Sequence, residues 1–150
     1  FTPAGPDHAQ VAACAGMADY FDSLANHHSI QGLPSARMAG VHDLMRAHET
    51  TLLQPLLDFL SARNDLRLLG PRNAENRAPT VALDLGRDPA PIAQALAAKG
   101  INAGAGDFYA VRALEGQGVN SKRGVLRLSF VHYTSVDEID ALIAALDSVL

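Results

Sequence analysis

Residues 124–150, GVLRLSFVHYTSVDEIDALIAALDSVL, change their periodicity halfway, and that change decides the fold class. Val125 to Phe130 alternate apolar and polar over six positions, the period-two pattern of a strand with one buried face. From Ser135 the period becomes helical: Ser135-Val136-Asp137-Glu138 has the spacing of a capping box, and Ile139, Leu142, Ile143, Leu146 and Val149 make one apolar stripe. A strand running directly into an amphipathic helix predicts a sheet with helices laid against it.

Working back toward the N-terminus, the same two periods recur. Ile101 to Ala103 predicts a short third strand, Gly104-Ala105-Gly106-Asp107 a loop, and Phe108 to Glu115 a short helix. Asp88-Pro89 opens a helix with buried positions at Ile92, Ala95 and Leu96, closed by Lys99-Gly100. Thr80 to Leu85 and Leu66 to Leu69 read as two strands separated by a polar loop.

Before these lies a long stripe from Met38 to Leu60, expected to pack on the sheet for most of its length. Pro55 falls inside that stripe, where it removes one backbone donor and clashes one turn back, so a kink or restart near Thr51 is expected. The first helix starts at the cap Asp7 and carries Val11, Cys14, Met17, Phe21, Leu24 and Ala25 on one face, ending near His28. Cys14 lies on that stripe and is read as a buried structural thiol.

The predicted class is therefore α+β: a small, mostly antiparallel sheet of three to four strands covered by helices and preceded by long helices. At 150 residues, 48% of them hydrophobic, the chain suits a single domain spanning 1–150. Twelve basic against sixteen acidic side chains give a net charge of -4, with Lys99 and Lys122 as the two lysines, which is no footprint of a nucleic-acid binder. No apolar run reaches membrane-spanning length, and a single cysteine leaves no disulfide framework; a soluble, cytoplasmic protein is expected.

The six histidines, His8, His27, His28, His42, His48 and His132, show no metal-ligand spacing, so no metal site is expected. Gly104-Ala105-Gly106 lacks the third glycine of a dinucleotide fingerprint and the lysine of a phosphate loop, and reads as turn chemistry. Arg127 stands out because a guanidinium in mid-strand must face solvent or a carboxylate, and its planar fork suits bidentate capture of a substrate carboxylate.

Arg127-Leu128-Ser129-Phe130-Val131-His132-Tyr133-Thr134-Ser135 before an acidic amphipathic helix resembles the closing motif of class V aminotransferases, the pyridoxal-phosphate family that includes cysteine desulfurases. The family pattern is Arg-x-Ser, three residues, then Tyr-Asn-Thr; here Thr134 replaces the asparagine and Ser135 the threonine. Phe1-Thr2-Pro3 before a long helix is similar to the family's Gly-Thr-Pro, with Phe1 in place of glycine. Lys99-Gly100-Ile101 and Gly106-Asp107-Phe108-Tyr109-Ala110 fall where the family has its helix-to-strand turn and its active-site loop.

The resemblance implies the C-terminal small domain, with its connecting helices, of a larger fold-type-I enzyme. It implies pyridoxal phosphate as the cofactor of the full-length parent, an amino-acid substrate, and a homodimer. By the same resemblance Arg127 would bind the substrate α-carboxylate, and Thr2 would hydrogen-bond the cofactor phosphate of the other subunit. Tyr109 stands where cysteine desulfurases carry their persulfide-forming cysteine. The Schiff-base lysine of the family has no counterpart in Lys99 or Lys122, so no catalytic residue is assigned and the chain by itself is expected neither to hold the cofactor nor to catalyse. A reading of a different class is a free-standing α+β module that binds a carboxylate ligand or a partner helix, supported by the stripe from Met38 to Leu60.

Overall fold

The computed structural model describes Gly5 and residues 7–150, in two compact units, Phe1–Ala47 and His48–Leu150. In the first, Asp7 caps α1 (His8–His27), its Oδ1 accepting the N–H groups of Ala9 and Gln10. Arg37 clasps the end of α1: its guanidinium donates to Asp22 Oδ1 at 3.1 Å, Asn26 Oδ1 at 2.9 Å and the Ile30 carbonyl at 3.0 Å. The apolar stripe expected on α1 is present but mostly uncovered. Ala25 is buried and Phe21 and Leu24 half-buried, whereas Val11 is 60% and Met17 62% exposed. Cys14 is therefore not the buried thiol its place on the stripe predicted. It is exposed, because among the described residues nothing packs over the first turns of α1.

α2 (Pro34–Ser61) does not restart at Thr51 but continues through Pro55. Pro55 faces solvent, while Leu52, Leu53, Leu56, Leu57 and Leu60 are buried, so side-chain packing holds the helix where one backbone bond is missing. The stripe joins the sheet's core only from Leu52 onward; Met38 and Leu44, in the first unit, are exposed.

The second unit has the α+β architecture expected from the sequence. Its sheet has the order β1-β2-β4-β3, with β1 Arg67–Leu69, β2 Thr80–Asp84, β3 Gly104–Gly106 and β4 Val125–Ser129, every pair antiparallel. One face is covered by the C-terminal half of α2, by α3 (Ala90–Ala97) and by α5 (Val136–Val149). Leu126 and Leu128 of β4 and Val81 and Leu83 of β2 point into that core. On the other face, α4 (Val111–Gly116) covers one end through Leu114, Val119, Leu69 and Val125. The rest of this face, with Arg127 and Ser129, is open. Among the described residues no helix is long and apolar enough to cross a membrane.

The third strand is displaced from its expected place. Ile101–Ala103 is irregular, and the Gly-Ala-Gly read as a loop is itself the edge strand, paired as Gly104↔Arg127, Ala105↔Leu126 and Gly106↔Val125. Glycine has little strand propensity, but its missing side chain lets this strand come close to what lies beside it. At the C-terminus the capping box forms as expected: Ser135 Oγ accepts the Glu138 N–H and Glu138 Oε2 accepts the Ser135 N–H at 2.7 Å.

One ion pair ties the turn before β4 to β2: Arg123 Nη2 lies 2.7 Å from Asp84 Oδ1, with the side chains 28% and 12% exposed. Burial pushes the Asp84 carboxyl up, but the Gly86 N–H, the Arg123 hydrogen bond and the Arg123 charge together hold it below the usual carboxylate range. A folded-state pKa below the unfolded one contributes stability that is complete above the ordinary carboxylate range and is lost as pH falls through the depressed value. Urea unfolding followed between pH 6 and pH 3 is expected to show a falling midpoint. In Asp84→Asn the unfolding free energy at pH 6 is expected to be about 1–2 kcal/mol lower and to decline less, the pair being screened by the solvent that reaches Arg123.

Candidate functional site

The open sheet face is built around Arg127. Alternation along β4 sends Leu126 and Leu128 into the core and leaves Arg127 and Ser129 on the opposite, exposed side. The residues in register with Arg127 are the two small ones, Ala82 on β2 and Gly104 on β3, so its side chain stands between low neighbours. Beside it, Thr80 Oγ1 donates to Ser129 Oγ at 3.2 Å.

Among the described residues the Arg127 side chain makes no hydrogen bond or ion pair. Its contact is with an aromatic ring: the guanidinium carbon lies 4.0 Å from the centroid of Phe108, within cation–π range. Phe108 comes from a tight turn that starts at Asp107. Asp107 Oδ1 accepts the Tyr109 N–H at 3.1 Å and the Asp107 carbonyl accepts the Ala110 N–H at 2.8 Å. Phe108 and Tyr109 both sit at positive φ, +53° and +58°. Tyr109, at the position that invites comparison with a reactive cysteine, is fully exposed at 104%.

The other sequence-assigned residue, Thr2, lies outside the described residues. The two lysines are both exposed, Lys99 just after α3 and Lys122 in the turn from Asn120 to Gly124. A lysine that holds pyridoxal phosphate as an imine needs a shielded amine and groups that grip the phosphate and pyridine ring. Neither lysine has that setting, so the described residues do not fit this cofactor. Among them no three His, Cys, Asp or Glu side chains come together as a metal site. A groove of about 640 Å³ runs along α5 between Lys99, Ile101, Thr134 and Ser148. It borders Ser129 but does not include Arg127.

Sequence reasoning missed Phe108 and Gly104. The available signal was an aromatic residue closely following a glycine segment, but only strand register shows that this segment lies opposite Arg127.

The α+β fold of the second unit, a four-stranded antiparallel sheet with helices packed on it, is shared with cysteine desulfurases. The apo cysteine desulfurase of Thermococcus onnurineus superposes with a TM-score of 0.63 at 22% identity, covering 77% of this chain and 30% of its own. The Escherichia coli cysteine desulfurase CsdA gives 0.60 at 25% identity, with 77% and 29% covered. An aminotransferase-like protein of Gibberella zeae is 31% identical over 113 residues, 72% of this chain and 28% of its own length. The family described as Aminotransferase class-V matches residues 35–142, more than half of the chain, and the chain belongs to this family. The family is dependent on pyridoxal phosphate. The chain spans less than a third of the length of these relatives.

Proposed function

We propose that residues 1–150 are the small C-terminal domain, with its connecting helices, of a cytoplasmic, homodimeric pyridoxal-phosphate enzyme acting on an amino acid, and that Arg127 binds the substrate's α-carboxylate. The observation that carries this reading is a guanidinium on an open sheet face with no acidic partner among the described residues, its fork free to donate. An arginine that served only the fold would be expected to close on a carboxylate or carbonyl, as Arg123 closes on Asp84 and Arg67 on the Gln117 carbonyl. Ala82 leaves room for a ligand on the β2 side, while the Phe108 ring occupies the space over Gly104. This chain binds and orients, while the cofactor's chemistry falls to residues other than those described. Thr2 is proposed, by family resemblance alone, to contact the cofactor phosphate of the partner subunit.

Nuclear magnetic resonance of the 150-residue chain tests the carboxylate site. Titration with L-cysteine or L-alanine is expected to move the Arg127 side-chain Nε–H resonance with millimolar affinity, whereas the corresponding amines without a carboxylate leave it in place. Losing one arm of a bidentate, charge-assisted pair costs on the order of 1.5 kcal/mol, so Arg127→Lys should bind about tenfold more weakly and Arg127→Ala not measurably. Equal responses to the amino acid and the amine, or no response at all, would overturn the assignment.

A further inference from the structure

We infer that Phe108 is a positioning residue for Arg127, and that Gly104 is glycine so that the Phe108 ring can lie against the strand beside it. This deepens the carboxylate reading and rests on it.

Three independent features of the fold converge on the pair. The first is the cation–π contact itself, with the Arg127 guanidinium carbon over the Phe108 ring, 4.0 Å from its centroid. A ring covering one flat face of a guanidinium leaves the in-plane N–H groups free, and these are the groups that meet a planar carboxylate edge-on. The second is the space over β3. A Cβ added to Gly104 would lie 2.7 Å from Phe108 Cζ and 2.8 Å from Cε1, so any side chain here would displace the ring. Gly104 has no positive φ to explain its glycine, and is in register with Arg127 itself.

The third feature is the turn that delivers the ring. Two successive non-glycine residues, Phe108 and Tyr109, are held at positive φ, a strained conformation that the surrounding structure must maintain. Tyr109 makes no use of that conformation in packing, being fully exposed, whereas Phe108 is half-buried and packs, as Ala82 and Ala110 do, against the small cluster under α4. The strained turn thus places a rigid aromatic plane under a long, flexible side chain. An arginine held this way loses less rotamer freedom when a carboxylate arrives, so its affinity rises with no new contact to the ligand.

The test compares Phe108→Leu, Gly104→Ala and Phe108→Tyr with the unmodified chain. In the free protein the Arg127 Nε–H resonance should carry a ring-current shift. Phe108→Leu removes the ring and Gly104→Ala pushes it aside, so both should return that resonance toward its unstacked position, and Phe108→Tyr should preserve the shift. Millimolar binding of L-alanine should weaken about two- to five-fold in the first two variants and stay unchanged in the third, the scale expected of an exposed cation–π contact. If L-alanine binds normally and Phe108→Leu leaves both the resonance and the affinity unchanged, the positioning role fails while the carboxylate site stands. If the unmodified chain shows the ring-current shift but no carboxylate-dependent change, the carboxylate site fails and the positioning role toward a ligand falls with it. Gly104→Ala supplies the same comparison should Phe108→Leu fold poorly.

Discussion

Gly124→Ala is expected to lower the stability of the second unit by about 3–4 kcal/mol, the sum of a left-handed backbone penalty and an overpacking penalty. Gly124 lies at φ +75°, where any Cβ is disfavoured. The larger cost is steric: a Cβ there would sit 2.5 Å from the carbonyl carbon of Gly106 and 2.6 Å from its oxygen. Both are backbone atoms, so no side-chain rotation relieves the clash and β3 must move away from β4. Gly118→Ala separates the two costs. Gly118 has nearly the same φ, +72°, but open space where its Cβ would lie, so it should lose only about 1 kcal/mol. Urea denaturation of the two variants measures the difference. Equal losses would mean that the close approach of β3 to the turn before β4 does not exist in solution. Because β3 carries Gly104 beside Arg127, Gly124→Ala should also disturb the Arg127 side-chain resonance, which Gly118→Ala should not.

Elements whose signals are local were legible in the sequence. β4 announces itself by alternation, and α5 by a capping box whose two hydrogen bonds both form between residues three apart. β3 was illegible for the opposite reason: Gly-Ala-Gly has no propensity of its own, and becomes a strand only because β4 supplies a ladder and the absent side chains permit close approach. The stripe on α1 shows the limit of periodicity, which identifies an apolar face but not whether anything covers it. Val11, Cys14 and Met17 fit the period and are exposed. At the candidate site the sequence pointed to Arg127 through its strand context and motif. The ring stacked on it comes from a turn in which two bulky residues adopt positive φ, a conformation that sequence preferences argue against.

Leu56→Ala is expected to cost about 4 kcal/mol, toward the upper part of the range for a fully buried leucine. Leu56 is completely buried, flanked along α2 by Leu52, Leu53, Leu57 and Leu60, and belongs to the core that also holds Val81, Leu83, Leu126 and Leu146. A cavity here opens between a helix and a sheet, two rigid surfaces that cannot easily collapse into it. Its neighbour Pro55 adds a second reason. With no N–H at position 55, this turn of α2 has one backbone hydrogen bond fewer, and buried side chains carry more of its stability. The same argument requires an opposite sign for Pro55→Ala: the residue is exposed, so replacing it loses little packing, restores a donor and should stabilise by about 1–3 kcal/mol. Unfolding of both single variants and the double variant tests the balance. The double variant should recover part of the loss from Leu56→Ala, and amide exchange around Gln54 to Phe59 should slow relative to Leu56→Ala alone. If Pro55→Ala instead destabilises, the fixed φ of the proline, rather than the leucine cluster, sets the path of α2 across the sheet.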